Sequence, residues 1–195
     1  MRHVQVYKKR DSLLPFRAQL AATSRCAGGH GYRIITYFAS FDKRIVIMDI
    51  LMGIGNPLNG DDGVGIYVAE QFRKEGWTSL ACGTAPENFT GIVRKTRPSC
   101  LVLVDAAAMG ISPGGYRIIP RDKIEDVSIG THQLPLSFLI DFLSDAASRI
   151  LFIGIQPERT GTCEEISLPV REGADRLLRV LSTGELDRIP VLGSE

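Results

Sequence analysis

The sequence predicts an α/β fold: a single three-layer domain, with a mostly parallel twisted sheet and helices on both faces. Two observations carry that prediction. Apolar runs at 45–52, 101–104 and 150–155 are nearly continuous rather than alternating, as in strands buried on both faces. Between them lie segments whose apolar residues recur at helical spacing, and alternation of strand and helix builds a parallel sheet. No internal repeat or interdomain linker interrupts the pattern.

The elements follow in order. Ile45-Val46-Ile47-Met48-Asp49-Ile50-Leu51-Met52 is the first strand, and Gly53-Ile54-Gly55-Asn56-Pro57 ends it. After Asp61-Asp62, a helix places Ile66, Ala69 and Phe72 on one face, with Gly76 as its stop. A short strand at Ser79–Cys82 precedes the loop Gly83-Thr84-Ala85-Pro86-Glu87-Asn88 and a helix to Arg94. Leu101–Asp105 is a second buried strand, and Gly114–Pro120 reads as a turn and an edge strand stopped by Pro120. The next helix starts with Pro135 at its first position, where the missing N–H costs nothing. Leu136, Leu139, Ile140 and Leu143 form its apolar face, widened by Phe138 and Phe142. Ile150–Ile155 is the third buried strand. The last helix carries Val170, Ala174, Leu177, Leu178 and Leu181 at amphipathic spacing.

Composition bounds the alternatives. The 195 residues are 44% apolar and 23% charged, ordinary globular stock that excludes disordered, collagen-like and coiled-coil classes. No 18 consecutive uncharged apolar residues occur, so no membrane insertion is expected. The net charge of +1 conceals an asymmetry. Residues 1–44 hold nine Lys/Arg and two acids, whereas 45–195 hold fourteen and twenty. The chain is therefore a basic N-terminal extension (1–44) followed by a mildly acidic domain (45–195). The extension includes Lys8-Lys9-Arg10 and a Gly-Gly-His-Gly stretch at 28–31, but no clean apolar segment with a small-residue cleavage site, so a secretory signal finds little support. It reads either as a weakly ordered tail or as the product of a mis-assigned start upstream of Met48, and no chemistry is assigned to it. Cys26, Cys82, Cys100 and Cys163 show no paired spacing, which fits reduced thiols in a cytoplasmic protein better than a disulfide framework or structural zinc site.

Ligands of open α/β sheets bind at the carboxyl ends of the strands. Asp62 follows the glycine loop of the first strand, Asp105 ends the second, and His132 stands just before the helix at Pro135. Two carboxylates and an imidazole suit a divalent metal such as nickel or zinc, with coordination positions left open. Plainer readings stand beside this one. Asp61 is expected to cap the helix that follows it; a single Asp after a strand is often a turn residue, and a single His often a hydrogen-bonded bystander. Other chemistries find less support. The loop Gly53-Ile54-Gly55-Asn56-Pro57-Leu58 lacks the third glycine of a dinucleotide fingerprint and places two carboxylates where a pyrophosphate would sit. No Gly-Lys-Ser/Thr, no Gly-x-Ser-x-Gly elbow and no cysteine with a nearby basic partner is present.

Five motifs in order resemble the nickel–iron hydrogenase maturation endopeptidases, in the branch serving hydrogenase 3 of the formate-hydrogenlyase type. They are Gly53-Ile54-Gly55-Asn56-Pro57-Leu58-Asn59-Gly60-Asp61-Asp62-Gly63-Val64-Gly65, Ala85-Pro86-Glu87-Asn88, Val104-Asp105-Ala106, Thr131-His132-Gln133-Leu134-Pro135-Leu136 and Gly154-Ile155-Gln156-Pro157. The match spans roughly residues 45–182. The resemblance implies an aspartic-type endopeptidase that removes a C-terminal peptide from the hydrogenase large-subunit precursor after nickel insertion. The family's metal-contacting acid, Asp and His fall on Asp62, Asp105 and His132. Nickel is then supplied by the substrate precursor, with no organic cofactor and no nucleic acid involved, and the protein is expected to be a cytoplasmic monomer. Gly83–Asn88 and the glycines at 53–55 are expected to wall the cleft, where an extended peptide approaches the backbone. Two other function classes remain at this point: a nickel-dependent chaperone that binds the precursor without cutting it, and a nucleotide-binding α/β domain.

Overall fold

The computed structural model describes residues 20–25, 32–37, 48–127, 135–162 and 165–194. The chain divides into two compact units, Met1–Ile45 and Val46–Glu195. In the first, β1 (Leu20–Arg25) and β2 (Tyr32–Tyr37) pair antiparallel, in a register from Leu20 opposite Tyr37 to Arg25 opposite Tyr32. No element is predicted in the leader from its charge. The pairing follows instead from residue type, since Thr, Ile and Tyr favour extended backbone.

The second unit is an α/β domain. Its five-stranded sheet runs β4 (Trp77–Gly83), β3 (Asp49–Ile54), β5 (Cys100–Ala106), β7 (Arg149–Ile155), β6 (Tyr116–Ile118). All neighbours are parallel except the edge strand β6, which pairs antiparallel with β7. Side chains alternate between two cores. Leu51, Val102, Val104, Leu151, Ile153 and Ile155 face one; Ile50, Met52, Ile54, Leu101, Leu103 and Phe152 face the other. This is why the three runs carry no polar alternation: neither side of β3, β5 or β7 meets water.

Helices cover both faces. α1 (Val64–Gln71) and α5 (Leu168–Thr183) close the first core through Val64, Val68, Val170, Ala174, Leu177 and Leu181. α2 (Thr90–Thr96), α3 (Ile124–Val127) and α4 (Leu136–Leu143) close the second through Val93, Ile124, Val127, Leu136, Leu139 and Leu143. Among the described residues, no helix is long and apolar enough to cross a membrane.

Local details depart from the sequence reading at several points. β3 continues through Gly53 to Ile54, because Gly53 still pairs with both neighbouring strands; residues 45–47 lie outside the described set. α1 ends at Gln71, where Phe72 turns extended (ψ 126), and Gly76 instead makes the positive-φ turn (+76) into β4. Pro135 is the residue before α4 rather than its first position, with φ −54 and ψ 133. Phe138 and Phe142 do not widen the buried face of α4: they are 58% and 46% exposed. Buried Leu136, Leu139 and Leu143 make the stripe, with partly buried Ile140 packed beside them, and Arg94 lies over the Phe142 ring at 4.3 Å.

Candidate active site at the carboxyl edge of the sheet

From β3 the chain passes through α1 to β4 on one side, then returns through α2 to β5 on the other. The order therefore reverses between β3 and β5, and the exits of those two strands diverge to leave a crevice. Asp62 and Asp105 are both placed there by chain order. Beyond β3, Gly55 takes a φ of +127 that only glycine adopts readily. The chain then folds into a single buried 3₁₀ turn, Gly60-Asp61-Asp62-Gly63, which runs directly into α1.

Close backbone approach locks this turn. A Cβ on Gly55 would lie 1.8 Å from the Asp62 carbonyl oxygen and 3.5 Å from Asp105 Oδ1, so Asp62 and Asp105 flank the same glycine. A Cβ on Gly65 would meet the carbonyl oxygens of Ile54 and Val104 at 2.2 and 2.3 Å, which seats the first turn of α1 on the ends of β3 and β5. One on Gly53 would fall 2.0 Å from the Gly65 carbonyl oxygen. Gly53 and Gly55 are thus filled from within the protein, correcting the expectation that they line a peptide cleft. Gly83, at the end of β4 with φ +63, has nothing within 4 Å in its Cβ direction and does face open space.

Asp62 and Asp105 are buried, with 1% and 2% of their surface exposed. Asp105 Oδ1 accepts a hydrogen bond from Ala106 N at 2.8 Å. Asp61 is wholly buried and does not cap α1, against expectation. Its carboxylate accepts from Glu158 N (2.8 Å), Arg159 N (2.9 Å), Ser167 N (2.6 Å) and Ser167 Oγ (2.9 Å), all on the loop between β7 and α5. The physical reason is range: a cap bonds donors two or three residues ahead, whereas these lie about a hundred residues away and are invisible to local spacing.

His132 lies outside the described residues. The described chain on its N-terminal side ends at Val127, whose carbonyl accepts from Ala108 N at 2.9 Å, three residues beyond Asp105. On the other side, Ser137 Oγ in α4 donates to Glu125 Oε1 in α3 at 2.9 Å, tying together the two helices that flank His132 in sequence. Among the described residues, no three His, Cys, Asp or Glu side chains form a group that could hold a metal ion.

Two more residues follow strands at the carboxyl edge of the sheet and were not singled out by sequence reasoning. Glu87, in the Pro86–Phe89 turn after β4, has a buried Oε2 with no hydrogen-bond partner. Gln156, just past β7, accepts through Oε1 from Met109 N at 2.7 Å and donates through Nε2 to Pro157 O at 3.1 Å, fastening the loop that leaves Asp105. Both stand in motifs that were noted, but neither residue type signals its role locally. Burial pushes the Cys82 thiol up to about 12 and the Cys100 thiol to about 11, which disfavours the reactive thiolate at neutral pH.

Comparison with known proteins gives the same answer in sequence and in structure. The HycI family, described as hydrogenase maturation protease, matches residues 64–183. The hydrogenase 3 maturation protease of Escherichia coli strain K12 is 36% identical over 141 residues, covering 70% of this chain and 90% of that protein. The solution structure of the endopeptidase HycI from Escherichia coli superposes with a TM-score of 0.69 at 35% identity, over 76% of this chain and 98% of that one. The crystal structure of the [NiFe] hydrogenase maturation protease HycI from Thermococcus kodakarensis KOD1 gives 0.62 at 32% identity, over 70% and 91%. With its switch-point carboxylates and these relatives, the chain belongs to the nickel–iron hydrogenase maturation proteases, in the hydrogenase 3 branch, and is an endopeptidase that processes the hydrogenase large-subunit precursor.

Proposed function

We propose that this endopeptidase removes the C-terminal peptide of the precursor once nickel has been inserted, and that Asp62, Asp105 and His132 read the nickel. The observation that carries this reading is the burial of Asp62 and Asp105 at the point where the strand order reverses, with the Asp62 backbone carbonyl and the Asp105 carboxylate both close to Gly55. Acidic residues at such a reversal stand where open α/β sheets bind their ligands, which supports a functional role for the pair. Oxygen ligands from Asp62 and Asp105 and a nitrogen from His132 suit a borderline divalent ion, and the ion arrives as part of the substrate, held mainly by precursor cysteines. Val127, which begins the stretch leading to His132, is bonded to the loop leaving Asp105, and this supports placing the imidazole with the two acids.

In this mechanism the metal is an anchor. Binding it at the crevice fixes the adjoining precursor tail, and holding a scissile bond in one geometry removes much of the entropic barrier to attack. Gly83 leaves open space beside the crevice through which an extended tail can run. We also read the protein as a cytoplasmic monomer without an organic cofactor. The deciding experiment is intact mass spectrometry of a large-subunit precursor incubated with this protein, with and without nickel loading. Loss of a C-terminal peptide only from the nickel-loaded precursor is the expected result. Equal cleavage of both forms overturns the gating role, and no cleavage of either overturns the choice of precursor.

A further inference from the structure

We infer that Asp61 is a positioning residue for Asp62: its carboxylate ties the 3₁₀ turn to the β7–α5 loop and so sets the direction in which Asp62 points. The inference rests on the nickel-recognition reading above and deepens it.

The turn has little of its own to hold it. Its entry is closed by a long bond from Asp62 N to Asn59 O (3.3 Å), and neither it nor α1 has a side-chain cap. A 3₁₀ helix has three residues per turn, so consecutive side chains leave its axis about 120° apart. Fixing one of them fixes the azimuth of the next. Asp61 is fixed unusually well. Four hydrogen bonds converge on its two oxygens, from donors that span nine positions of the loop, and Asp61 N returns a bond to Arg159 O at 3.3 Å. Hydrogen bonds to a carboxylate are stronger than those between neutral groups and sharper in direction. On the opposite side the turn is stopped by Gly55, which sits against the Asp62 carbonyl oxygen. The turn is therefore clamped between the β3 exit and the β7–α5 loop, and the residue that follows Asp61 in it is the acid assigned to nickel.

Asp61→Asn exchanges one acceptor oxygen for an amide that faces backbone donors, so the clamp loosens while size is kept. Ser167→Ala removes only the hydroxyl donor and is the milder variant. The readout is the nickel-dependent gain in affinity, taken as the ratio of Kd for nickel-free precursor to Kd for nickel-loaded precursor. It is measured at a temperature where near-ultraviolet circular dichroism finds every variant folded. A misplacement of about 1 Å at a reacting group costs on the order of 100-fold, so Asp61→Asn is expected to cut the gain by about 10–100-fold. Ser167→Ala should cut it less, in the same direction. Asp62→Asn should remove the gain, and adding Asp61→Asn to it should remove nothing further, because the first residue acts only through the second.

Three results overturn the inference. Asp61→Asn, or Ser167→Ala where Asp61→Asn does not fold, lowers the melting temperature yet keeps the wild-type gain. The double variant binds nickel-loaded precursor more weakly than Asp62→Asn while nickel-free binding is unchanged. Wild-type protein shows no nickel-dependent gain at all, in which case the nickel-recognition reading falls first and this inference with it.

Discussion

Asp61 and Asp62 are neighbours of the same type, yet the fold gives them opposite work. Asp61 spends its carboxylate on the β7–α5 loop, while Asp62 is the acid we propose to read nickel together with Asp105. For the assigned site, Asp62→Asn and His132→Ala are each expected to abolish precursor cleavage with an unchanged circular dichroism spectrum, and full processing by both would remove the assignment. The thiols give a second test at this scale. Burial raises Cys82 from its ordinary 9.0 to about 12, so the folded state resists thiolate formation that the unfolded chain undergoes more readily. The resulting stability is complete below about pH 9 and is lost as pH rises from 9 toward 12. Denaturant midpoints measured across that interval should fall less steeply in Cys82→Ala than in the wild type. The lack of a CxxC pair foretold free thiols at Cys82 and Cys100, whereas the tertiary role of Asp61 had no local signature, because its partners are remote in sequence.

Among the elements, α1 is the one that positions the site. It rests on the ends of β3 and β5 only because residue 65 has no side chain: a methyl there would sit 2.2–2.3 Å from two carbonyl oxygens. Gly65→Ala must lift the helix from the sheet and disturb the turn that precedes it. The expected cost is about 3 kcal/mol, the upper range for overpacking, read as a lower urea midpoint with the m-value unchanged. A midpoint equal to wild type would show that α1 is not held this closely. The helix itself was legible, since Ile66, Ala69 and Phe72 all prove buried. The face of α4 was only partly legible. Leu136, Leu139 and Leu143 follow a single stripe, but Phe138 and Phe142 extend that stripe equally well on paper. Apolar residues are free to lie at the surface, so hydrophobicity alone did not say where the buried sector stops.

At the scale of the whole molecule, the proposed site draws on the β3 and β5 exits of the second unit, and no chemistry is assigned to residues 1–44. Protein lacking residues 1–44 is accordingly expected to process the nickel-loaded precursor with unchanged kcat/KM, and a large loss of rate would assign those residues a role. The sequence by itself determined the fold class and the family. Continuous apolar runs imply strands covered on both faces, and five ordered motifs are matched by relatives that share the fold. It also singled out Asp62 and Asp105 as residues at strand exits, because position relative to a strand is a local property. Only the tertiary structure decided the strand order β4-β3-β5-β7-β6, and with it the reversal that brings those two exits together. It alone separated glycines that admit a neighbouring backbone, Gly53, Gly55 and Gly65, from Gly83, which faces open space. The reason is the same in each case: spacing encodes what a residue does along its own element, whereas contacts between elements distant in the chain exist only once the sheet has been assembled.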